Sequence, residues 1–222
     1  MISEWDYSHA QPKGKNVFFL RDSNHVSEEV QEHILGELDR LVDQHFFSVL
    51  FSEGLEGKYS PDFRRVTTEE RLKTLLVERC GRWSPMQVFA YRHQEIIRSG
   101  NFSLYGVDSE ALLDEQIKSV HRNLELCDKL KREGSLSPAE IQEFRWHKNV
   151  NAKRIAAERS AYSVKKIEEL MRDFDTAGLI YGNGHFPEMA AGFETINIGY
   201  ISYFPGEPEF DLRRSEEYIR KL

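Results

Sequence analysis

The chain has 222 residues, 40% of them hydrophobic and 30% charged, with a formal net charge of −7 and a pI near 5.7. That length suits one globular domain, or one domain carrying an insertion, and the acidic balance excludes a broad nucleic-acid-binding face. Cys80 and Cys127 are the only cysteines, too far apart for a zinc motif or a disulfide framework, which leaves two reduced thiols.

The first residues, Met1-Ile2-Ser3-Glu4-Trp5-Asp6, are polar and acidic and do not read as a signal peptide. No apolar run approaches the roughly 20 residues a membrane helix needs. The expectation is a soluble cytoplasmic protein with no membrane partner. Residues 1–15 read as an N-terminal arm.

Asn16 to Leu20 is short, β-branched and aromatic, which predicts a buried strand. Ser27 to Gln44 places Val30, Ile34, Leu38 and Leu41 at helical spacing. Phe46 to Ser52 predicts a second strand, so the three segments form a right-handed βαβ unit. Thr67-Thr68-Glu69-Glu70 opens a helix to about Cys80, and Ser84-Pro85 opens another to about Ile97. Phe102 to Val107 predicts a third strand. A helix from Asp108-Ser109 runs to about Arg132 and stops at Gly134. Ser137-Pro138-Ala139-Glu140 starts a further helix that bends or divides before Phe174. Leu179 to Tyr181 and Tyr200 to Phe204 are the last two strands, with a short helix opened by Pro187 between them. The charged tail to Leu222 reads as helical near its end.

The layout predicts one α/β (α+β) domain over residues 1–222. Two βαβ halves form one mixed sheet, and residues 58–175 are a mainly helical insertion, with one strand near 102–107, that covers the cleft.

The two halves share a motif. Phe18-Phe19-Leu20-Arg21-Asp22-Ser23-Asn24-His25 and Gly178-Leu179-Ile180-Tyr181-Gly182-Asn183-Gly184-His185 each run from an apolar strand through a polar turn to a His, with Glu28 and Glu188 three residues on. Turns at the carboxyl ends of sheet strands are where α/β folds bind ligands. An imidazole there can bind a metal, accept a proton or polarise a carbonyl. The bland alternative is that each His caps its helix or hydrogen-bonds a backbone carbonyl. Glu53 ends the second strand, read here as the neighbour of the His25 strand, and so reaches the same crevice. A Glu in that position can activate water or complete a metal site. Asp22 either orients His25 or caps the helix. Glu56, in the Gly54–Gly57 loop, and Asp108, after the third strand, are further acidic candidates. Arg159, on the long helix, can bind a carboxylate or a developing oxyanion. Asn183 and Tyr181 flank the second turn and complete the candidate substrate-binding set. No G-x-S-x-G, H-E-x-x-H, GxxxxGK[ST] or GxGxxG motif is present.

With these residues in order, the chain resembles the superfamily that joins the erythromycin-esterase-like, ChaN-like and TIKI/TraB/PrgY proteins. That group has a strand ending in a G-x-x-H-like turn, a helix, a strand ending in Glu, and a second G-x-x-H-like turn near the C-terminus. Gly182-Asn183-Gly184-His185 fits the pattern. Asp22-Ser23-Asn24-His25 carries Asp where Gly is usual. Ser52-Glu53-Gly54, Tyr105-Gly106-Val107-Asp108 and Glu158-Arg159-Ser160 resemble the group's remaining short motifs. The resemblance covers most of residues 16–206.

It implies a hydrolase-like enzyme acting on an ester or amide of a small molecule or peptide. Glu53, His25, His185 and Arg159 would be catalytic, and His25, Glu53 and His185 would hold a divalent ion (Mn, Fe, Co or Zn) if one is bound. Some members bind haem, so a haem-, metal- or small-ligand-binding protein without turnover is the alternative. A biosynthetic enzyme of other chemistry on the same scaffold is a further one.

Overall fold

In the computed structural model, which describes residues 4–60, 62–63 and 66–206, the apolar runs become a seven-stranded sheet. The strands are β1 (Glu4–Asp6), β2 (Asn16–Asp22), β3 (Val49–Ser52), β4 (Glu56–Lys58), β5 (Ser103–Val107), β6 (Thr176–Gly182) and β7 (Gly199–Phe204). Their order is β1-β7-β2-β6-β3-β5-β4, so the sheet is mixed: β7, β2, β6, β3 and β5 are parallel, and the short β1 and β4 run antiparallel at the two edges. The central strands read as continuous apolar runs because both faces are covered.

Helix α1 (Glu28–Asp43) follows β2. Ser27 caps it, accepting a hydrogen bond from the Val30 amide, and Val30, Ile34, Leu38 and Leu41 are all buried as the spacing requires. After β4 come α2 (Glu69–Cys80), α3 (Pro85–Arg92) and α4 (Gln94–Arg98). The single helix expected from Ser84 to Ile97 is thus two, broken at His93. Helix α5 (Glu110–Glu133) ends at Gly134, whose φ of 74° is the left-handed cap that glycine adopts without strain. The Ser137–Glu140 capping box opens α6 (Pro138–Trp146). The expected bend is a π-helical turn, His147–Asn151, which leads into α7 (Ala152–Leu170). After β6, α8 (Phe186–Thr195) leads to β7.

The core is two layers. On one face α1 and α3 pack on Phe18, Leu20, Leu50 and Leu104; on the other α7 and α8 pack on Val17, Phe19, Phe51 and Tyr181. The chain moves toward one edge through β2, β3 and β5 with its helices on the first face. It returns through β6 and β7 with helices on the second, as a constant crossover hand requires.

Two expectations are corrected here. The second strand begins at Val49 rather than Phe46, because the chain turns through a left-handed His45 and the Phe46 amide bonds back to the Leu41 carbonyl. More important for the site, β3 is not the neighbour of β2: β6, from the other half, lies between them. β2 likewise lies between β6 and β7, so the two βαβ halves interleave. The expected helix near Leu222 lies outside the described residues. No helix among the described residues is long and apolar enough to cross a membrane.

Candidate active site

Four chain segments meet at the carboxyl edge of the parallel strands. β2 ends in Asp22, and the turn that follows carries His25 back over the strand end. His25 Nδ1 lies 2.6 Å from Asp22 Oδ2, and Asp22 Oδ1 accepts a hydrogen bond of 2.9 Å from Gln31 Nε2 on α1. Asp22 is buried while the His25 side chain is 35% exposed, so the carboxylate supports and the imidazole faces outward. With Nδ1 committed to Asp22, Nε2 is the ring nitrogen left for other contacts.

β6 ends in Gly182, and a short 3-10 turn, Asn183–His185, carries the second imidazole. His185 Nδ1 lies 2.9 Å from Ser160 Oγ on α7. The Ser160 hydroxyl gives its hydrogen to the Ala156 carbonyl, so its oxygen accepts and His185 Nδ1 carries the proton. The Nε2 lone pair then lies 3.9 Å from Glu53 Oε1.

Glu53 follows β3. A strand separates it from β2, a gap of roughly 10 Å, yet it still meets His25. Gly182 is the reason. A Cβ on Gly182 would lie 2.9 Å from Glu53 Oε2 and 3.4 Å from His25 Nε2, so the missing side chain is the space where the two groups converge. Gly182 also donates its amide to Glu53 Oε2 at 2.6 Å. The other oxygen, Oε1, takes Arg159 Nη2 at 2.7 Å. Arg159 is buried on α7 and is held by Asp108, which accepts from its Nε at 3.0 Å and from Nη2, and by Gln116 of α5, which accepts from Nη1. Asp108 in turn accepts the amides of Gly54 and Ser109.

These contacts separate the titrations. Burial alone would lower the His25 pKa, but the Asp22 carboxylate outweighs it and raises His25 above its ordinary 6.5. His185 goes the other way: burial lowers it, the Arg159 guanidinium adds to this, and Glu53 and Asp108 only partly oppose. Glu53 is kept below the usual carboxylate range; burial would raise it, but His25, Arg159, His185 and the Gly182 amide dominate. Asp22 is likewise lowered, with His25 and Arg82 overcoming burial. A pair of titratable groups pushed apart in this way marks a division of acid–base roles.

Beside them lies a cavity of about 440 Å³. Its charged and titratable lining is His25, Glu53, Arg82 and Arg159, with Ser52, Ser84, Gln87 and Gln116 as neutral polar groups, and its apolar lining includes Leu55, Met86 of α3, and Leu113, Ile117 and Val120 of α5. His25, Glu53 and Arg159 are therefore placed together on the wall, and His185 stands behind Glu53. The five residues expected to bind substrate do not line the cavity. Asp22 and Asp108 are buried behind His25 and Arg159. Tyr181 is fully buried in the sheet, its hydroxyl paired with Ser163 Oγ and its ring edge-on to His185. Asn183 Oδ1 accepts from Arg21 Nε at 2.8 Å. Glu56 lies on the edge strand β4, accepting from the Tyr162 hydroxyl and the Glu110 amide. Sequence reasoning missed Arg82, Ser160 and the α5 wall; the 113, 117, 120 apolar spacing was the available signal for the last.

Among the described residues no three His, Cys, Asp or Glu side chains are grouped to hold a metal ion. The chemistry agrees: both Glu53 oxygens are engaged by donors, and the permanent charge of Arg159 sits where a divalent ion would need the carboxylate. The site as arranged does not fit a metal. No family model, no curated protein and no solved structure matches the chain.

Proposed function

We propose that the protein is a hydrolase that cleaves an ester or amide of a small molecule or peptide in the cleft at His25, Glu53 and Arg159. The observation that carries the reading is the Asp22–His25 pair, whose imidazole shares the cavity wall with Glu53 and with the fixed guanidinium of Arg159. His25 takes a proton from water as the water oxygen bonds to the carbonyl carbon. When the carbon–oxygen or carbon–nitrogen bond breaks, His25 returns that proton to the leaving group. Arg159 steadies the negative charge on the carbonyl oxygen. This departs from a Glu53 general base: a carboxylate held low by Arg159 and the Gly182 amide is a weak base, so Glu53 serves as a fixed anion that orients Arg159 and balances His25 when it is protonated. Neutral His185, held through Nδ1 by Ser160, packs behind Glu53 and takes no part in the proton transfer.

Membership of the erythromycin-esterase-like, ChaN-like and TIKI/TraB/PrgY superfamily is part of this proposal, and the order of the short motifs supports it. Free Cys80 and Cys127 fit a reducing cytoplasm, and the acidic charge speaks against nucleic acid as a partner. The test is hydrolysis of 4-nitrophenyl acetate by purified protein, with His25→Gln and Glu53→Gln beside it. Turnover that survives His25→Gln intact overturns the reading.

A further inference from the structure

We infer that the cavity binds an uncharged alkyl or acyl group, and that α5 reads it. Leu113, Ile117 and Val120 lie on one stripe of α5, four and then three residues apart. All three are only half-buried, and neither hydrophobic core cluster includes them. Apolar side chains on an amphipathic helix ordinarily pack on the core; these line the cavity instead, with Leu55 and Met86. The volume, about 440 Å³, falls within the range of about 300–1,000 Å³ of sites for drug-sized ligands, which are apolar with a few placed polar groups.

Charge sets the second half of the inference. Three carboxylates, Asp22, Glu53 and Asp108, stand against two guanidiniums, Arg82 and Arg159, at the polar side of the cavity. The set is net negative with His25 neutral and balanced with His25 protonated. Arg159 is already matched by Glu53 and Asp108, so the set carries no net positive charge for a permanently anionic headgroup, while a guanidinium N–H can still donate to a carbonyl oxygen. A free fatty acid or a phosphate ester is disfavoured, and a neutral carbonyl compound with an apolar tail is favoured. The lining offers its carbonyl the groups of the proposed hydrolytic centre and the neutral Ser84 and Gln87, and on the hydrolase reading the tail is the acyl or alkoxy part of the substrate.

Binding of an uncleavable series tests the slot without requiring turnover. Acetamide, butanamide, hexanamide and octanamide are titrated into the full chain by calorimetry. Affinity should rise about 3- to 4-fold for each methylene buried and then level off once the cavity is filled. Octanoate should bind more weakly than octanamide. Ile117→Asp should flatten the series. Val120→Thr, nearly the same size, should weaken octanamide several-fold without a change in the unfolding midpoint, which guards against a folding defect in the first variant. A flat series in the unaltered protein, or octanoate binding better than octanamide, overturns the inference. Hydrolysis of 4-nitrophenyl acetate with a flat amide series sinks the slot and leaves the hydrolase; a rising series with no ester turnover does the reverse.

Discussion

Asp22 and Gly182 are paired across the β2–β6 ladder, each three residues before its histidine, and the carboxylate present in one and absent from the other separates the two imidazoles. Asp22 holds His25 Nδ1 and raises that ring's pKa. Gly182 has no side chain with which to hold its histidine; His185 turns instead to a neutral serine on α7 and is lowered by burial. The duplicated turn is thus a pair with unlike electrostatics.

Asp22→Asn keeps the shape and removes the charge. The His25 pKa should fall, and NMR titration of its ring protons reads this directly. If His25 is the base, turnover should drop by about 10²-fold or more, since an orienting carboxylate fixes the tautomer and steadies the imidazolium. On the same reading, the acid limb of turnover in the unaltered protein should lie above pH 6.5, because the base form appears only as pH rises through the raised pKa.

The two histidines should also shape stability. His25 binds its proton more tightly when folded, so its contribution is complete below about 6.5 and is lost as pH rises through its folded pKa. His185 binds its proton less tightly when folded, so stability is lost as pH falls from about 6.5 through its folded pKa. Together they place a maximum near pH 6.5. Urea unfolding across pH 5 to 8.5 should show it (roughly the window in which imidazoles titrate). His25→Gln should remove the alkaline slope alone and His185→Gln the acid slope alone.

Arg159→Met should destabilise by about 3–5 kcal/mol, because it leaves Glu53 and Asp108 buried together without a cation. The same change should raise the Glu53 pKa. Chemical denaturation reads the first effect and carboxylate NMR the second. A loss below about 1 kcal/mol, typical of an exposed pair, would contradict the burial argument.

Gly182→Ala puts a methyl group 2.9 Å from Glu53 Oε2 and 3.4 Å from His25 Nε2. Glu53 cannot swing away freely, since Arg159 and the Gly182 amide hold both its oxygens. The expected cost is about 1–3 kcal/mol of overpacking and about 10²-fold in turnover from displaced groups. Thermal unfolding and ester hydrolysis measure the two separately.

Local signals made much of this architecture legible. The apolar strands, the α1 periodicity and the caps at Ser137 and Gly134 act within a few residues, and short-range physics decides them. The three-residue edge strands β1 and β4 carry too little pattern to read. Strand order was not legible, because pairing between distant segments leaves no local mark; β6 could not be placed between β2 and β3 from either half alone. His25, Glu53 and His185 stand out in the sequence because they follow strands at turns, whereas Arg159, in the middle of α7, carries no such local mark. The partners that set their chemistry, Ser160 and Arg82, look like ordinary residues until the chain is folded. Asp22 was read in two ways, and only the 2.6 Å contact to Nδ1 decides between them.

Interleaving the halves has a consequence for how the molecule comes into being. A ribosome delivers β2 and β3 early, yet the strand that joins them arrives about 125 residues after β3 ends. Until then both carry an unpaired edge, which favours slow closure and transient association with helpers or with other copies. The His25–Glu53 group cannot assemble on a partly synthesised chain: the two side chains converge only once β6 and Gly182 lie between β2 and β3, so any chemistry of the proposed kind waits until translation of this region is almost over.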